Sequence, residues 1–236
     1  MKDHSMKNHP MKNHIDNWLN TLSDPQFPDE FEVKRLLSLF GITVPKGIRL
    51  APGHKEIPEN LSPPFAAKVC SGRILHKTDQ KGVILNLDKN AVIPAVTDIQ
   101  SRFQDASVLL EEQMSFNGTE FIVGALIDPD FGPAVMAGSG GVLTELYEDV
   151  SFRLAPCSTG EAKNMLKELN VSPFFTGFRG VTLNPDGLAH VISKTGELAL
   201  ALGNRFGQLD INPIVCTDKG WVALDAKLVL QTGSHL

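Results

Sequence analysis

Cysteine is scarce in this chain: Cys70, Cys157 and Cys216 stand far apart, odd in number and without a CxxC pair. That excludes a disulfide framework and a zinc ribbon, and it points to a reducing, cytoplasmic setting. No apolar run approaches the roughly 18 to 20 residues of a membrane span, and the lysines of the first twenty residues lead into no signal-peptide core. A soluble, unexported protein with no membrane partner is expected. Basic residues are not in excess either, since 22 Lys and Arg stand against 27 Asp and Glu for a net charge of −5. A general nucleic-acid binder needs the opposite balance, so no nucleic-acid partner is expected. The phosphate signatures GK[ST] and GxGxxG are missing too.

What is present begins with a repeat, Met1-Lys2-Asp3-His4, Met6-Lys7-Asn8-His9 and Met11-Lys12-Asn13-His14. Its composition is that of a solvated tail, with nothing to fix three histidines around a metal. A helix is predicted from Asp29, which can cap with Glu32 at the capping-box position; Val33, Leu36, Leu37 and Phe40 form its stripe and Gly41 ends it. Ile42 to Pro45 reads as a short edge strand and Pro52 to Pro64 as a loop.

Phe65 to Cys70 and Gly82 to Leu87 read as strands, and Val92, Val96, Ile99 and Phe103 fall at helical spacing, with Pro94 suited only to a first turn. Val108 to Met114 and Glu120 to Ile127 are expected to pair around SFNGT, with a turn at Asp128 to Gly132 and a strand at Ala134 to Ala137. Ser158 with Glu161 caps a further helix, and Leu188 to Leu202 gives a longer one ending near Gly203. Two strands close the chain, Gln208 to Ile211 and Trp221 to Asp225, with turns at Asn212-Pro213 and Asp218 to Gly220. Mixed strand blocks and helices favour α+β lobes over one doubly wound sheet.

Three groups of residues suggest chemistry. Lys68 lies inside an apolar strand, where its ammonium needs an anion such as phosphate unless its stem is buried and its head reaches water. His76 and Lys77 follow, with Lys81 and Gly82 a few residues on. An imidazole nitrogen is a competent phosphoryl acceptor, and adjacent cations offset the arriving charge. Gly138 to Gly141 could wrap phosphate with its amides or could simply be a flexible turn. Asp210 and Asn212 share a strand face and Asp225 can meet them from a neighbouring strand, a set of oxygens that suits magnesium; a solvated strand-end cluster is the plainer reading.

Taken in order, KVCSGRILHKTD, EFIVGALIDPDFGPAVMAGSGGVLTELYEDVSFRLAP, TGFRG, LDINP and ALDAK make residues 29–228 resemble the ATP-grasp domain of the ADP-forming acyl-CoA synthetases, the relatives of succinyl-CoA synthetase. The resemblance implies an α+β ATP-grasp fold with the nucleotide between two lobes: a flexible tail over 1–24, a first lobe over 25–105 and a second over 106–236. It implies ATP or ADP with Mg2+ as cofactors, Lys68 at the phosphates and the loop around Gly82 folded over them. Lys77, Glu112, Met114, Glu120, Gly140 and Gly141 fall among the nucleotide-binding positions. Asn212 and Asp225 match the metal ligands, with Asp210 beside them as a third, Arg153 and Arg179 match arginines near the phosphoryl group, and His76 matches a phosphoryl-carrying histidine.

The implied reaction is acyl-CoA plus ADP and phosphate giving acid, CoA and ATP, with a CoA-binding α subunit as partner. Three features depart from the family pattern: Lys81 stands where a glycine is usual, Gln113 where a hinge glutamate is usual, and the segment between Val44 and Phe65 is short by a helix. The changes at Lys81 and Gln113 motivate the alternative of a non-catalytic nucleotide-sensing module that regulates an acyltransferase or synthetase. An ATP-dependent carboxylate-amine ligase also fits the fold but leaves His76 without a role.

Overall fold

The computed structural model of the chain describes residues 10–54, 56–57, 59–74, 77, 80–104, 106–116, 119–141 and 149–231. Two antiparallel sheets, each backed by helix, give the expected α+β architecture. The smaller sheet contains β1 (Gly47–Leu50), β2 (Phe65–Cys70), β3 (Val83–Leu87) and β4 (Ser107–Glu112), in the order β1-β4-β2-β3. Helix α3 (Lys89–Arg102) covers one face and closes a core with Phe65, Ala67, Val69, Val96, Ile99, Val108 and Leu110. Alternation along β2 then turns Ala66, Lys68 and Cys70 to the other face, where they are also buried.

The larger sheet contains β5 (Glu120–Asp128), β6 (Gly132–Ser139), β7 (Val150–Leu154), β8 (Phe206–Thr217), β9 (Gly220–Ala223) and β10 (Ala226–Leu230), in the order β10-β8-β5-β6-β7 with β9 paired to β8. Helices α1 (Lys12–Leu19), α2 (Glu30–Leu39), α4 (Thr159–Glu168) and α5 (Pro185–Leu202) contribute to its core. The capping boxes form as predicted. Asp29 Oδ1 accepts from Glu32 N at 2.9 Å and Glu32 Oε2 from Asp29 N at 2.9 Å, and Ser158 and Glu161 repeat the motif on α4.

Helix α2 lies between the sheets. Its apolar stripe, Val33, Leu36 and Leu37, enters the larger core, while Glu30 and Lys34 reach the smaller sheet. An amphipathic helix whose polar side is also covered has to pair its charges, and that requirement shapes the site below.

Several expectations are corrected. The segment 1–24 is not all tail: α1 buries Ile15 and Trp18, and the indole Nε1 donates to Glu32 O at 2.7 Å. The three-histidine repeat lies mostly outside the described residues. β4 pairs with β1 and β2 rather than with β5, so the change of lobe falls after Glu112 and not at 105/106. Ile42 to Pro45 gives only an isolated bridge, Thr43 to Val222, and the edge strand is β1 instead. Asn212-Pro213 is no turn but a cis peptide within β8, and the predicted strand at 221–225 is two strands parted at Leu224-Asp225. Pro94 sits one turn inside α3, on its exposed side, where the missing amide leaves a carbonyl that water can serve.

Candidate functional site

Charge meets charge where α2 crosses the smaller sheet. Lys68 Nζ lies 2.9 Å from Glu30 Oε1, 2.9 Å from Glu111 Oε2 and 2.6 Å from the carbonyl of Leu224. Lys34 Nζ lies 2.7 Å from Glu30 Oε1, 2.6 Å from Glu111 Oε1 and 2.7 Å from the same carbonyl. Lys77 Nζ bridges Glu30 Oε2 at 2.5 Å and Asp225 Oδ1 at 2.8 Å. Three ammoniums therefore face three carboxylates, and an uncompensated buried charge is avoided.

Burial by itself pushes the Glu30 carboxyl up, but Lys34, Lys68 and Lys77 outweigh it and hold the group well below the ordinary carboxylate range. Burial pulls Lys68 down, and Glu111, Glu30 and Asp225 overcome this and hold it well above the usual lysine value. Lys77 is raised in the same way, burial being offset by Glu30 and Asp225. All three groups stay charged across neutral pH.

The expected phosphate role of Lys68 meets an obstacle in this arrangement. An ammonium has three donors, and Lys68 already faces three acceptors. Lys77 has two named partners and sits at the edge of the cluster. Glu30, Lys34 and Glu111 had not been anticipated. Two signals for them existed: Glu30 and Lys34 are four apart on one helix, and Glu111 is a carboxylate inside the apolar run VLLEE, the counterpart of the lysine in β2. Glu111 pairs with Ala66, two residues from Lys68, which places both charges on one face.

The three residues expected to ligate a metal lie alongside. Asp225 sits between β9 and β10, and its carbonyl accepts from Asn212 N at 3.2 Å. Asp210 and Asn212 are on β8, and Asn212 Oδ1 accepts from Gly141 N at 3.4 Å. Asp210 Oδ1 is buried and, among the described residues, has no hydrogen-bond partner. Burial first, then the negative charge of Asp225, raises the Asp210 pKa, with Lys227 partly offsetting them. An orphaned carboxylate oxygen beside a second carboxylate and an amide oxygen fits a hard cation that takes oxygen ligands. No group of three His, Cys, Asp or Glu suited to a metal occurs among the described residues, so the amide and outside oxygens have to complete such a site.

Glu120, Gly140 and Gly141 frame the same place. Gly140 N donates to Glu120 O at 2.8 Å, and a Cβ on Gly140 would lie 2.6 Å from the Phe121 backbone. At Gly141, with φ +65°, a Cβ would lie 2.3 Å from Glu120 Oε2, so a side chain there would push that carboxylate aside and adopt a left-handed conformation that favours glycine. Gly82 is held against β2: Val69 N donates to its carbonyl at 2.7 Å, and its own N–H donates to Lys77 O at 2.6 Å. The preceding Lys81 adopts φ +57°, a left-handed conformation that favours glycine.

A cavity of about 720 Å3 opens at the hinge between the sheets, lined by Glu112, Gln113, Met114, Leu183, Thr217 and Lys219 among others. Gln113 is held there by Asn86, which has φ +58°. Asn86 N donates to Gln113 Oε1 at 2.6 Å, and Gln113 Nε2 donates to Asn86 Oδ1 at 2.9 Å. A glutamate could accept the first bond but could not donate the second.

The two arginines are not brought to the cluster. Arg153 pairs with Val135, whose row continues through Ala125 and Leu209, buried on the helix-covered face. Asp210 belongs to the row Gly124, Met136 and Phe152 on the opposite face. Three strand spacings, about 14 Å, and the thickness of the sheet separate the two side chains. Arg153 instead pairs with Glu168 of α4. Arg179, at φ +51° in an exposed turn, stacks on Phe178 at 5.4 Å. His76 lies outside the described residues.

With this geometry in place, comparison with known proteins is decisive for the family. The ATP-grasp domain profile matches residues 23–230. The chain belongs to the ATP-grasp family. It is 36% identical over 212 residues to the acetate–CoA ligase [ADP-forming] I subunit beta of Pyrococcus furiosus, covering 85% of this chain and 90% of that one. It is 33% identical over 204 residues to acetate–CoA ligase [ADP-forming] I of Archaeoglobus fulgidus, of which it spans only 30%. Among solved structures, a dinucleotide-forming acetyl-coenzyme A synthetase 1 from Ca. Korarchaeum cryptofilum, in complex with coenzyme A and Ca-AMPCP, superimposes with a TM-score of 0.82 at 31% identity. That match covers 94% of this chain and 100% of the other.

Proposed function

We propose that this ATP-grasp chain is the nucleotide-binding β subunit of an ADP-forming acyl-CoA synthetase. It moves a phosphoryl group between a phosphohistidine and ADP in the reversible conversion of acyl-CoA, ADP and phosphate into acid, CoA and ATP. The observation that carries this reading is the placement of Asp210 and Asp225 with Asn212 beside the Lys77 ammonium, under a glycine turn. Anionic oxygens and a cation converge there, as a metal-bound polyphosphate requires. The match over 90% of the Pyrococcus β subunit supports the same reading.

Asp210, Asn212 and Asp225 hold Mg2+, which when bound neutralises phosphate charge during transfer. Glu112 and Met114 at the hinge cavity face the nucleoside, and the turn at Gly140 and Gly141 lies at the phosphates, where the Gly141 amide, on a long bond to Asn212 Oδ1, can turn to a phosphate oxygen while the Gly140 amide stays on Glu120 O. Lys77 supplies the local cation. His76, the neighbour of Lys77 in the sequence, carries the phosphoryl group on an imidazole nitrogen and hands it to the terminal oxygen of ADP. A CoA-binding α subunit is the partner that delivers it. The cytoplasm is the compartment that suits three cysteines without a disulfide. Among the described residues, no helix is long and apolar enough to cross a membrane.

Incubation with γ-labelled ATP and Mg2+ should label the chain at a histidine, and His76→Ala should abolish both that label and ATP synthesis with the α subunit. A labelled His76→Ala protein would remove the carrier role. A wild-type chain that binds ADP with Mg2+ but never labels would favour the nucleotide-sensing alternative, to which the departures at Lys81 and Gln113 also point.

A further inference from the structure

We propose that the Lys77–Asp225 ion pair is a latch that makes metal binding and nucleotide binding depend on one another. The proposal rests on the nucleotide site put forward above and concerns the order in which that site fills.

The geometry sets the conflict. Lys77 Nζ is 2.8 Å from Asp225 Oδ1, so a carboxylate assigned to the metal is already held by an ammonium. Neither group is idle elsewhere in a way that makes the pair incidental. Lys77 is anchored from behind by the buried Glu30, and Asp225 is fixed by its backbone, with its carbonyl bonded to Asn212 N and the neighbouring Leu224 carbonyl to Lys34 and Lys68. The second carboxylate, Asp210, has an oxygen without a partner among the described residues. The site therefore holds one free ligand and one latched ligand.

A divalent cation arriving alone must displace the Lys77 ammonium from Asp225 or settle close to it, and like charges at contact distance oppose binding. A nucleoside diphosphate arriving alone brings negative charge against Asp225 and Asp210. Arriving together, the phosphate oxygens accept Lys77 while the metal accepts Asp225, and each ion exchanges one partner for another. Lys77 can make that exchange because Glu30 keeps one of its donors and its stem in place. Lys68 cannot do so equally, since all three of its donors face protein acceptors. By linkage, metal and nucleotide then raise each other's affinity by the same factor.

The test is binding of Mn2+, read by electron paramagnetic resonance, to the whole chain without the partner subunit, with and without ADP. In the wild type, ADP should raise Mn2+ affinity by at least about tenfold, within the usual range of coupling between sites. Lys77→Met should bind Mn2+ alone more tightly than wild type and lose most of the enhancement by ADP. Lys77→Arg, which keeps the charge, should keep both weak Mn2+ binding and coupling. Because Glu30 retains Lys34 and Lys68, the Met variant keeps its buried carboxylate paired, and a thermal melt checks its fold.

Wild-type Mn2+ affinity that is the same with and without ADP, while ADP itself binds, overturns the latch and leaves the nucleotide site standing. Unchanged Mn2+ affinity and coupling in a folded Lys77→Met protein overturns it as well. Failure of ADP to bind under any metal condition removes the nucleotide reading and the latch with it.

Discussion

Replacing Glu30 by glutamine isolates the charge at the centre of the lobe junction with little change of shape. Glu30 Oε1 lies 2.7 Å from Lys34 Nζ and 2.9 Å from Lys68 Nζ, and Oε2 receives Lys77. At an effective dielectric near 20, each such pair attracts by about 4 kcal/mol, so the gross attraction is roughly 12 kcal/mol. Dehydrating the carboxylate costs several kcal/mol of this, and breaking a buried pair by deleting one partner leaves a net loss of about 3 to 5 kcal/mol. Glu30→Gln should therefore lower the urea midpoint by about 1 to 2 M, taking a slope near 3 kcal/mol per molar.

The loss must also depend on pH. The folded-state pKa of Glu30 lies well below the ordinary value of 4.5, so its stabilisation is fully present above pH 4.5 and fades as pH falls through that value toward the folded one. The gap between wild type and Glu30→Gln should be constant from pH 5.5 to 8 and narrow below about pH 4.5. Urea titrations at pH 7 and pH 4 measure both. A loss under about 1 kcal/mol at pH 7, or a gap that does not narrow in acid, would refute the reasoning that buried charge pairing fixes the lobes.

Other outcomes follow from single contacts. Asp225→Asn and Asp210→Asn should each reduce ATP synthesis with the α subunit by about two or more orders of magnitude, by removing charge that holds the metal at the transferred phosphoryl, with far-ultraviolet circular dichroism unchanged. Gly141→Ala places a methyl 2.3 Å from Glu120 Oε2 at a positive φ and should weaken ADP binding measured by calorimetry, an effect that unchanged affinity would contradict. Arg153→Ala should leave phosphoryl transfer within about twofold and cost at most about 1 kcal/mol, because its partner Glu168 is a surface group. A collapse of activity in that variant would return Arg153 to the reacting site.

Local rules made much of the fold legible. Capping boxes at Asp29 and Ser158, the apolar stripe of α2, the Asx turn at Asp128 and the end of α5 at Gly203 each rest on contacts within a few residues, and each formed. What failed depended on distant partners. The hairpin expected from β4 and β5 is defeated because Val108 and Leu110 complete the core under α3, which no local signal reveals. The residues of α1 look like tail until Trp18 finds Glu32 O, fourteen positions away. The site divides in the same way: the spacing of Asp210 and Asn212, two apart on a strand, is enough to place both oxygens on one face, whereas Glu30 and Glu111 become interpretable only when α2 is laid across β2 and β4.

Why the lobe junction is ionic has a physical answer in the arrangement of its six charges. Paired buried ions are a weak source of stability, since well-packed apolar side chains in place of a whole buried pair are often neutral or stabilising. Lys77 cannot be treated so freely if a cation is needed beside phosphate, and two ammoniums, Lys68 and Lys77, close together in a buried place require anions fixed behind them. Glu30 and Glu111, both buried, supply that charge from the protein side. Lys34 then balances the surplus carboxylate and bonds the Leu224 carbonyl at 2.7 Å, which carries the balance across to the other sheet. Of the three anions only Asp225 stands at the cleft side, about one third exposed. It is the one carboxylate of the set whose ammonium partner can be exchanged without uncovering a buried charge. Junction and site therefore use the same residues: the ions that join the lobes are those that hold Lys77 ready to leave Asp225.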